Sequence, residues 1–207
     1  MQIEGRVGVQ ALQDGSQQPP RLGKQGEVVT DELHGRYYEA TYRQGVWLGS
    51  TAVAGVAPGT VLSTTPPFTL YNPTGNAKNF SINKIFMGYV SGTLGAGTLL
   101  IASGPQAAAP TGGTVITPKN ALIGNGAGAT ALVYTGSTLS AAPTIVRPSF
   151  PLGAFLASTA SLNPLQLDEV SGDIVLTPGN VLCLQALAAA GTSPLVLLAM
   201  SWEEIPV

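Results

Sequence analysis

Glycine and proline are spaced so closely along this chain that neither long helices nor long unbroken strands are expected. The 207 residues include 26 glycines and 16 prolines, about a fifth of the total. Glycine disfavours a helix interior and proline removes a backbone donor, so the segments between them must be short. This pattern is typical of an all-β protein in which many short strands are joined by tight turns.

Short apolar or alternating runs recur after residue 45, each bounded by Gly, Pro, Asn or Ser. About eight or nine of them qualify as strands, which predicts an antiparallel β-sandwich, jelly-roll-like in form. In the run KNFSINKIFMGYVSG the alternation predicts one face with Phe80, Ile82, Lys84 and Phe86, and another with Ser81, Asn83, Ile85 and Met87. The clearest hairpin-like unit runs from Ile174 to Leu187 around a Pro178–Gly179 turn.

Charged residues are concentrated at the start of the chain. Residues 1–45 hold 11 of the 20 charged residues, and the remaining 162 positions share nine. The formal net charge is −2, so no global basic field favours nucleic acid or an anionic membrane as a partner. A soluble monomer usually carries about a quarter charged residues, so we infer that other subunits cover much of this body.

The chain divides by composition into an arm and a body. Residues 1–32 combine Gly, Gln, Ser and a Pro-Pro pair without apolar periodicity, which predicts an extended arm that orders against a partner. Period-two alternation favours an extended, strand-like lead-in over residues 33–43. The predicted organisation is therefore an arm with an aromatic anchor segment over 1–45 and a β-sandwich over 46–207.

The anchor segment, Leu33–Trp47, holds the residue types that concentrate binding energy at protein interfaces. Asp31, Glu32 and Glu39 lie among its arginines and would repel phosphate, so nucleic acid is the weaker interpretation. An alternative is that Trp47 and some of the tyrosines simply close the sandwich. The interface candidates are Arg36, Tyr37, Tyr38, Tyr42, Arg43 and Trp47.

No constellation in the sequence favours catalysis, a metal site or a cofactor. The single histidine, His34, cannot form a metal site alone, and Asp168, Glu169 and Asp173 match no calcium-loop spacing. A paired-carboxylate hydrolase built from that acidic cluster is the weakest alternative. The lone Cys183 lies in an apolar run and is predicted to be a buried, unreactive residue. No run reaches the roughly 20 apolar residues of a membrane-spanning helix, and the start of the sequence has no signal-peptide pattern.

Two stretches resemble a known group of proteins. The run VQALQDGSQQPPRLGKQGEVVTDELHGRYYEATYRQGVWLGS resembles the opening of small virion proteins of tailed bacteriophages, and DIVLTPGNVLCLQALAAAGTSPLVLLAMSWEEIP resembles their C-terminal pattern more loosely. The resemblance implies a jelly-roll capsid decoration, or cement, protein, with no catalytic residues.

That resemblance leads to a specific set of expectations. The protein would bind the major capsid protein lattice from outside as a homo-oligomer, with a trimer favoured and a dimer possible. It would be made in the host bacterial cytoplasm and reside on the capsid exterior. The competing hypothesis is a head-fibre or tail-associated sandwich that binds host glycans.

Overall fold

The computed structural model describes residues 35–126, 128–152, 165–188 and 191–207, and the regular secondary structure of these residues is almost entirely β-strand. The chain divides into two compact units, Met1–Glu39 and Ala40–Val207. The predicted arm over residues 1–32, and His34, lie outside the described residues. Within the described part, no helix is long and apolar enough to cross a membrane.

The predicted antiparallel β-sandwich is confirmed: two six-stranded antiparallel sheets carry all the strands. The elements are α1 (Tyr38–Tyr42), β1 (Val46–Ser50), β2 (Phe68–Tyr71), β3 (Lys78–Ser91), β4 (Gly97–Pro105), β5 (Thr114–Ile116), β6 (Lys119–Asn120), β7 (Leu132–Thr135), β8 (Thr144–Leu152), β9 (Leu165–Glu169), β10 (Val175–Leu176), β11 (Asn180–Ala188) and β12 (Leu195–Pro206).

The strand order within the sheets is that of a jelly roll. One sheet, here the front sheet, runs β10-β3-β12-β1-β6, with β9 also pairing with β3; the other, the back sheet, runs β5-β7-β2-β11-β4-β8. When β9 and β10 are counted as one interrupted strand and β5–β7 as an insertion, eight strands remain. If these eight strands are numbered in chain order, the order across the front sheet is 1-8-3-6 and the order across the back sheet is 2-7-4-5. These are the two four-stranded sheets of a jelly roll.

The core fills the space between the sheets. Its largest fully buried side chains include Trp202, Phe68 and Phe80. A second, smaller apolar cluster lies on the outer side of the back sheet and consists of Tyr71, Leu139, Val181 and Cys183, with Tyr134 packed against it. The middle of the back sheet, at β2 and β11, is therefore covered on both sides, whereas Leu132 and Ile145 nearer its edges are exposed.

The alternation predicted for β3 is wrong from Asn83 onward. The core contains Phe80, Ile82, Ile85 and Met87, so the buried phase changes in the middle of the strand. The cause is a β-bulge: Ser201 pairs with Lys84 and Trp202 pairs with Ile82, which leaves Asn83 as an extra residue. One inserted residue exchanges the two faces of everything that follows.

The predicted hairpin around Pro178–Gly179 is also wrong, because its two strands belong to different sheets. Val175–Leu176 pairs with β3 in the front sheet, whereas β11 pairs with β2 and β4 in the back sheet. The turn is real, with Gly179 at φ 80°. This turn carries the chain from the front sheet to the back sheet. Alternation alone cannot distinguish such a crossing from a hairpin, because in both cases the two strands bury one face in the same core.

Candidate protein interface

The segment predicted as a strand-like lead-in contains the short helix α1, so that prediction is wrong for Tyr38–Tyr42. The helix ends through two backbone bonds, Gln44 N–H to the Thr41 carbonyl (2.9 Å) and Gly45 N–H to the Ala40 carbonyl (2.9 Å). Gln44 has φ 63°, so this is the Schellman arrangement with a left-handed residue after the last turn. The C-terminal motif, rather than helix propensity, defines this single turn.

The six predicted interface residues fall into three places. In the first unit, the Arg36 guanidinium lies 5.6 Å from the centroid of the Tyr37 ring, and Tyr38 is 45% exposed. In the second unit, Tyr42 is 59% exposed and Arg43 is also exposed. These residues present aromatic and cationic groups to the surface.

Trp47 lies in the core. Only 4% of it is exposed, and in the pairing of β1 with β12 it stands opposite Trp202. Gly49, two residues later, leaves room for the Trp202 ring, since a Cβ there would lie 3.4 Å from it. Trp47 therefore closes the sandwich, as the alternative interpretation of the sequence has it. One side of the residue borders a surface cleft.

This cleft lies within the second unit, beside the end of α1. Its volume is about 420 Å³, and its lining includes Arg43, Trp47, Lys78, Glu203 and Pro206. The lining thus combines two cationic side chains, a carboxylate and the Trp47 ring. Such a site can receive a side chain or an extended segment of another protein.

Glu204 forms the buried wall of the cleft and holds neighbouring chain segments together. Its Oε1 accepts hydrogen bonds from the backbone N–H groups of Thr130 (2.9 Å) and Ala131 (3.1 Å). Its Oε2 accepts from Thr130 Oγ1 (2.8 Å) and Lys78 Nζ (2.9 Å). Both oxygens are thus occupied by protein donors, which makes the carboxylate a structural clamp.

Sequence reasoning missed this clamp, although a signal was present. Glu204 lies two residues after Trp202 and four after Met200 along β12, and both of those residues belong to the core. Alternation therefore places Glu204 on the inward face, where a carboxylate requires partners.

Two carboxylates of the acidic cluster considered for catalysis or calcium, Asp168 and Glu169, are engaged in ion pairs. Asp168 Oδ2 lies 2.9 Å from an Arg147 nitrogen and accepts a 2.7 Å hydrogen bond from Ser149. Glu169 Oε1 lies 3.3 Å from Lys84 Nζ. Arg147 is on β8 and Asp168 on β9, so this pair links the edges of the two sheets. Over the described ranges, no group of three or more metal-ligating side chains is found.

Comparisons with known proteins add little to these observations. No protein-family model matches the chain, and comparison with curated proteins gives no match. One matching solved structure is titled "Israeli acute paralysis virus heated to 63 degree - full particle", with 10% sequence identity, 97% of this chain and 82% of that chain covered, and a TM-score of 0.27. At that TM-score the match carries no argument about this chain.

Proposed function

We propose that the chain is a structural virion protein of a tailed bacteriophage. In this proposal it binds the outside of the capsid as an oligomer and cements neighbouring subunits of the major capsid protein. The observation that carries the proposal is the surface at the start of the sandwich, where exposed Tyr42 and Arg43 stand beside the cleft. Tyr and Arg are enriched among the residues that dominate protein–protein binding.

The fold and the charge pattern support the same function. Jelly rolls form viral capsid domains as well as lectins and cupins, so the architecture permits the role without requiring it. Only nine charged residues lie beyond position 45, which suits a body covered by other subunits. The proposal includes neither an enzymatic activity nor a cofactor.

The physical basis of cementing is preferential binding. A ligand that binds the assembled lattice, and not the separated subunits, stabilises the lattice according to its concentration and affinity. Several anchor segments on one oligomer add avidity, because each later contact forms within an already bound complex. The resemblance to phage decoration proteins favours a trimer for this oligomer and leaves a dimer as the alternative.

The test compares an exposed tyrosine with the buried tryptophan of the anchor segment. We expect Tyr42→Ala to weaken binding to purified capsids by about tenfold or more while the protein stays folded, because the side chain is surface-exposed. We expect Trp47→Ala to lower the free energy of unfolding by about 3–5 kcal/mol, because it leaves a cavity in the core. Capsid occupancy is measured by quantitative gel after co-sedimentation, and stability by urea denaturation.

Val53→Ala is the matched control, since Val53 is highly exposed and lies outside both α1 and the cleft. It should leave both measurements unchanged. If Tyr42→Ala binds capsids as well as the parent protein does, the proposed anchor is wrong.

A further inference from the structure

The two sheets differ in what covers their outer faces. The outer side of the back sheet carries its own apolar cluster around Val181 and Cys183. The outer side of the front sheet carries apolar side chains that stay accessible: Leu48 is 37% exposed, Leu167 is 48% exposed, and Phe86 is half-buried. The outer face of the front sheet therefore presents accessible apolar side chains among polar and charged ones.

Strand register arranges this front face in rows. One row across the strands reads Lys119, Leu48, Ser201, Lys84, Glu169. The next row reads Ser50, Ala199, Phe86, Leu167. Directly paired residues point to the same side of a sheet, so each row is a line of neighbours on this face.

Edge-to-edge association is discouraged by the strands at the sheet edges. β5 has three residues, β6 and β10 have two each, and β9 has five. The longer edge strand β8 contains Pro148 and Pro151, which lack a backbone donor. Short or proline-bearing edges of this kind leave a sheet face as the better route to self-association.

We propose that the front face binds the front face of a second copy, about a twofold axis that lies parallel to the strands above β12. Such a rotation reverses the order of positions in a row. Lys119 at one end of the charged row then meets the partner's Glu169 at the other end, and the same contact is repeated by symmetry. The twofold axis therefore gives two Lys119–Glu169 ion pairs across the interface.

The charges at these two positions are suited to that contact. Lys119 is exposed and has no ion pair within the described residues, and β6 places it at the margin of the face. The Glu169 side chain is 57% exposed, and its Oε1 is the oxygen that faces Lys84. The second oxygen is available to a cation from another chain.

The apolar row is complementary about the same axis. Ala199 lies on β12 under the proposed axis, so two small residues face one another there. Phe86, one strand away on β3, meets the partner's Ser50 on β1, which places a large ring opposite a small side chain. This inference rests on the proposed function, in which the protein acts as an oligomer. It specifies that oligomer as a dimer, which sequence analysis left as the alternative to a trimer.

The experiment measures self-association of the full chain by sedimentation equilibrium, with no capsid present. The wild type should form a dimer, and Lys119→Glu should weaken dimerisation by about tenfold or more, because it sets like charges opposite each other. Adding Glu169→Lys to Lys119→Glu should restore part of the lost dimerisation, because the contact between the copies is re-formed with its signs exchanged, while the new lysine also faces Lys84 of its own chain.

Ala199→Arg tests the centre of the face and should yield a folded monomer by circular dichroism and sedimentation. Val146→Arg is its control, because Val146 is an exposed apolar residue on β8 of the back sheet; the dimer should persist. A wild-type monomer, a closed trimer, or a double variant no tighter than Lys119→Glu would overturn the proposal. So would an Ala199→Arg variant that stays dimeric. Because this test needs no capsid, its failure is separable from that of the Tyr42 test.

Discussion

The thiol of Cys183 is fully buried on the outer side of the back sheet, where burial determines its chemistry. Desolvation raises its pKa from 9.0 to about 12, and a weak hydrogen bond to Thr69 opposes part of that rise. The neutral thiol is therefore the form that the fold accommodates. Its buried position agrees with the sequence-based prediction of an unreactive cysteine.

This raised pKa predicts a specific dependence of stability on pH. Below pH 9 the thiol is neutral in both the folded and unfolded states. Between about pH 9 and 12 only the unfolded chain releases the proton, so the free energy of unfolding falls by up to ~1.4 kcal/mol per pH unit. We expect the stability difference between the wild type and Cys183→Ala to narrow as pH rises through this window. Urea denaturation at about pH 8, 9.5 and 10.5 measures it, and parallel stability curves would contradict the assigned cause.

For single residues, the residue type was a better guide to exposure than the alternation of apolar and polar positions along a strand. The residue types in the anchor segment predicted an aromatic surface, and Tyr42 and Tyr38 are indeed exposed. Whether Trp47 lay inside or outside could not be read from its type, because tryptophan serves equally in cores and interfaces. The bulge at Asn83 was invisible, since one unpaired residue leaves no mark in an alternating pattern.

At the scale of elements, the sequence was informative about where strands lie but not about how they pair. Alternating and apolar runs marked β1, β3, β4 and β12, because each buries one face in the core. From the sequence, Asp168 and Glu169 were considered only as part of an acidic cluster, yet Leu165–Glu169 forms β9, whose two carboxylates pair with cations on β8 and β3. Such partners come from distant parts of the chain, so local composition cannot reveal them.

Two adjacent glycines before β5 give a prediction at this scale. Both have positive φ, 65° for Gly112 and 69° for Gly113. A Cβ on Gly112 would meet nothing within 4 Å, whereas one on Gly113 would lie 2.5 Å from the Thr135 carbonyl oxygen. We expect Gly112→Ala to cost about 1 kcal/mol for the left-handed backbone alone. Gly113→Ala should cost at least about 2 kcal/mol more, because the loop must also move away from β7.

The two alanine variants share composition and differ only in the space around the new methyl group. Thermal denaturation followed by circular dichroism compares them directly. Equal losses would show that the close approach of the loop to β7 contributes nothing to stability.

For the whole molecule, the determining feature is that the last strand lies inside the front sheet. β12 is hydrogen-bonded to β1 on one side and to β3 on the other. It contributes the core residues Val196, Leu198, Met200 and Trp202. The sandwich therefore cannot close until the end of the chain is available, and most of its pairings join residues far apart in sequence. Folding of such a topology is expected to be slow compared with a helical protein of similar size.

This arrangement predicts an asymmetric response to shortening the chain from its end. Removing residues 195–207 deletes the central strand and exposes both of its neighbours, so we expect a chain without cooperative unfolding and with rapid proteolysis. Removing only Pro206 and Val207 loses one backbone hydrogen bond, from Val207 N–H to the Ala77 carbonyl, and should cost about 1 kcal/mol or less. Limited proteolysis and urea denaturation separate the two cases. A cooperative transition in the longer deletion would contradict this prediction. It would mean that the sandwich is complete without β12, and that the pairing of the first and last strands is not what stabilises the fold.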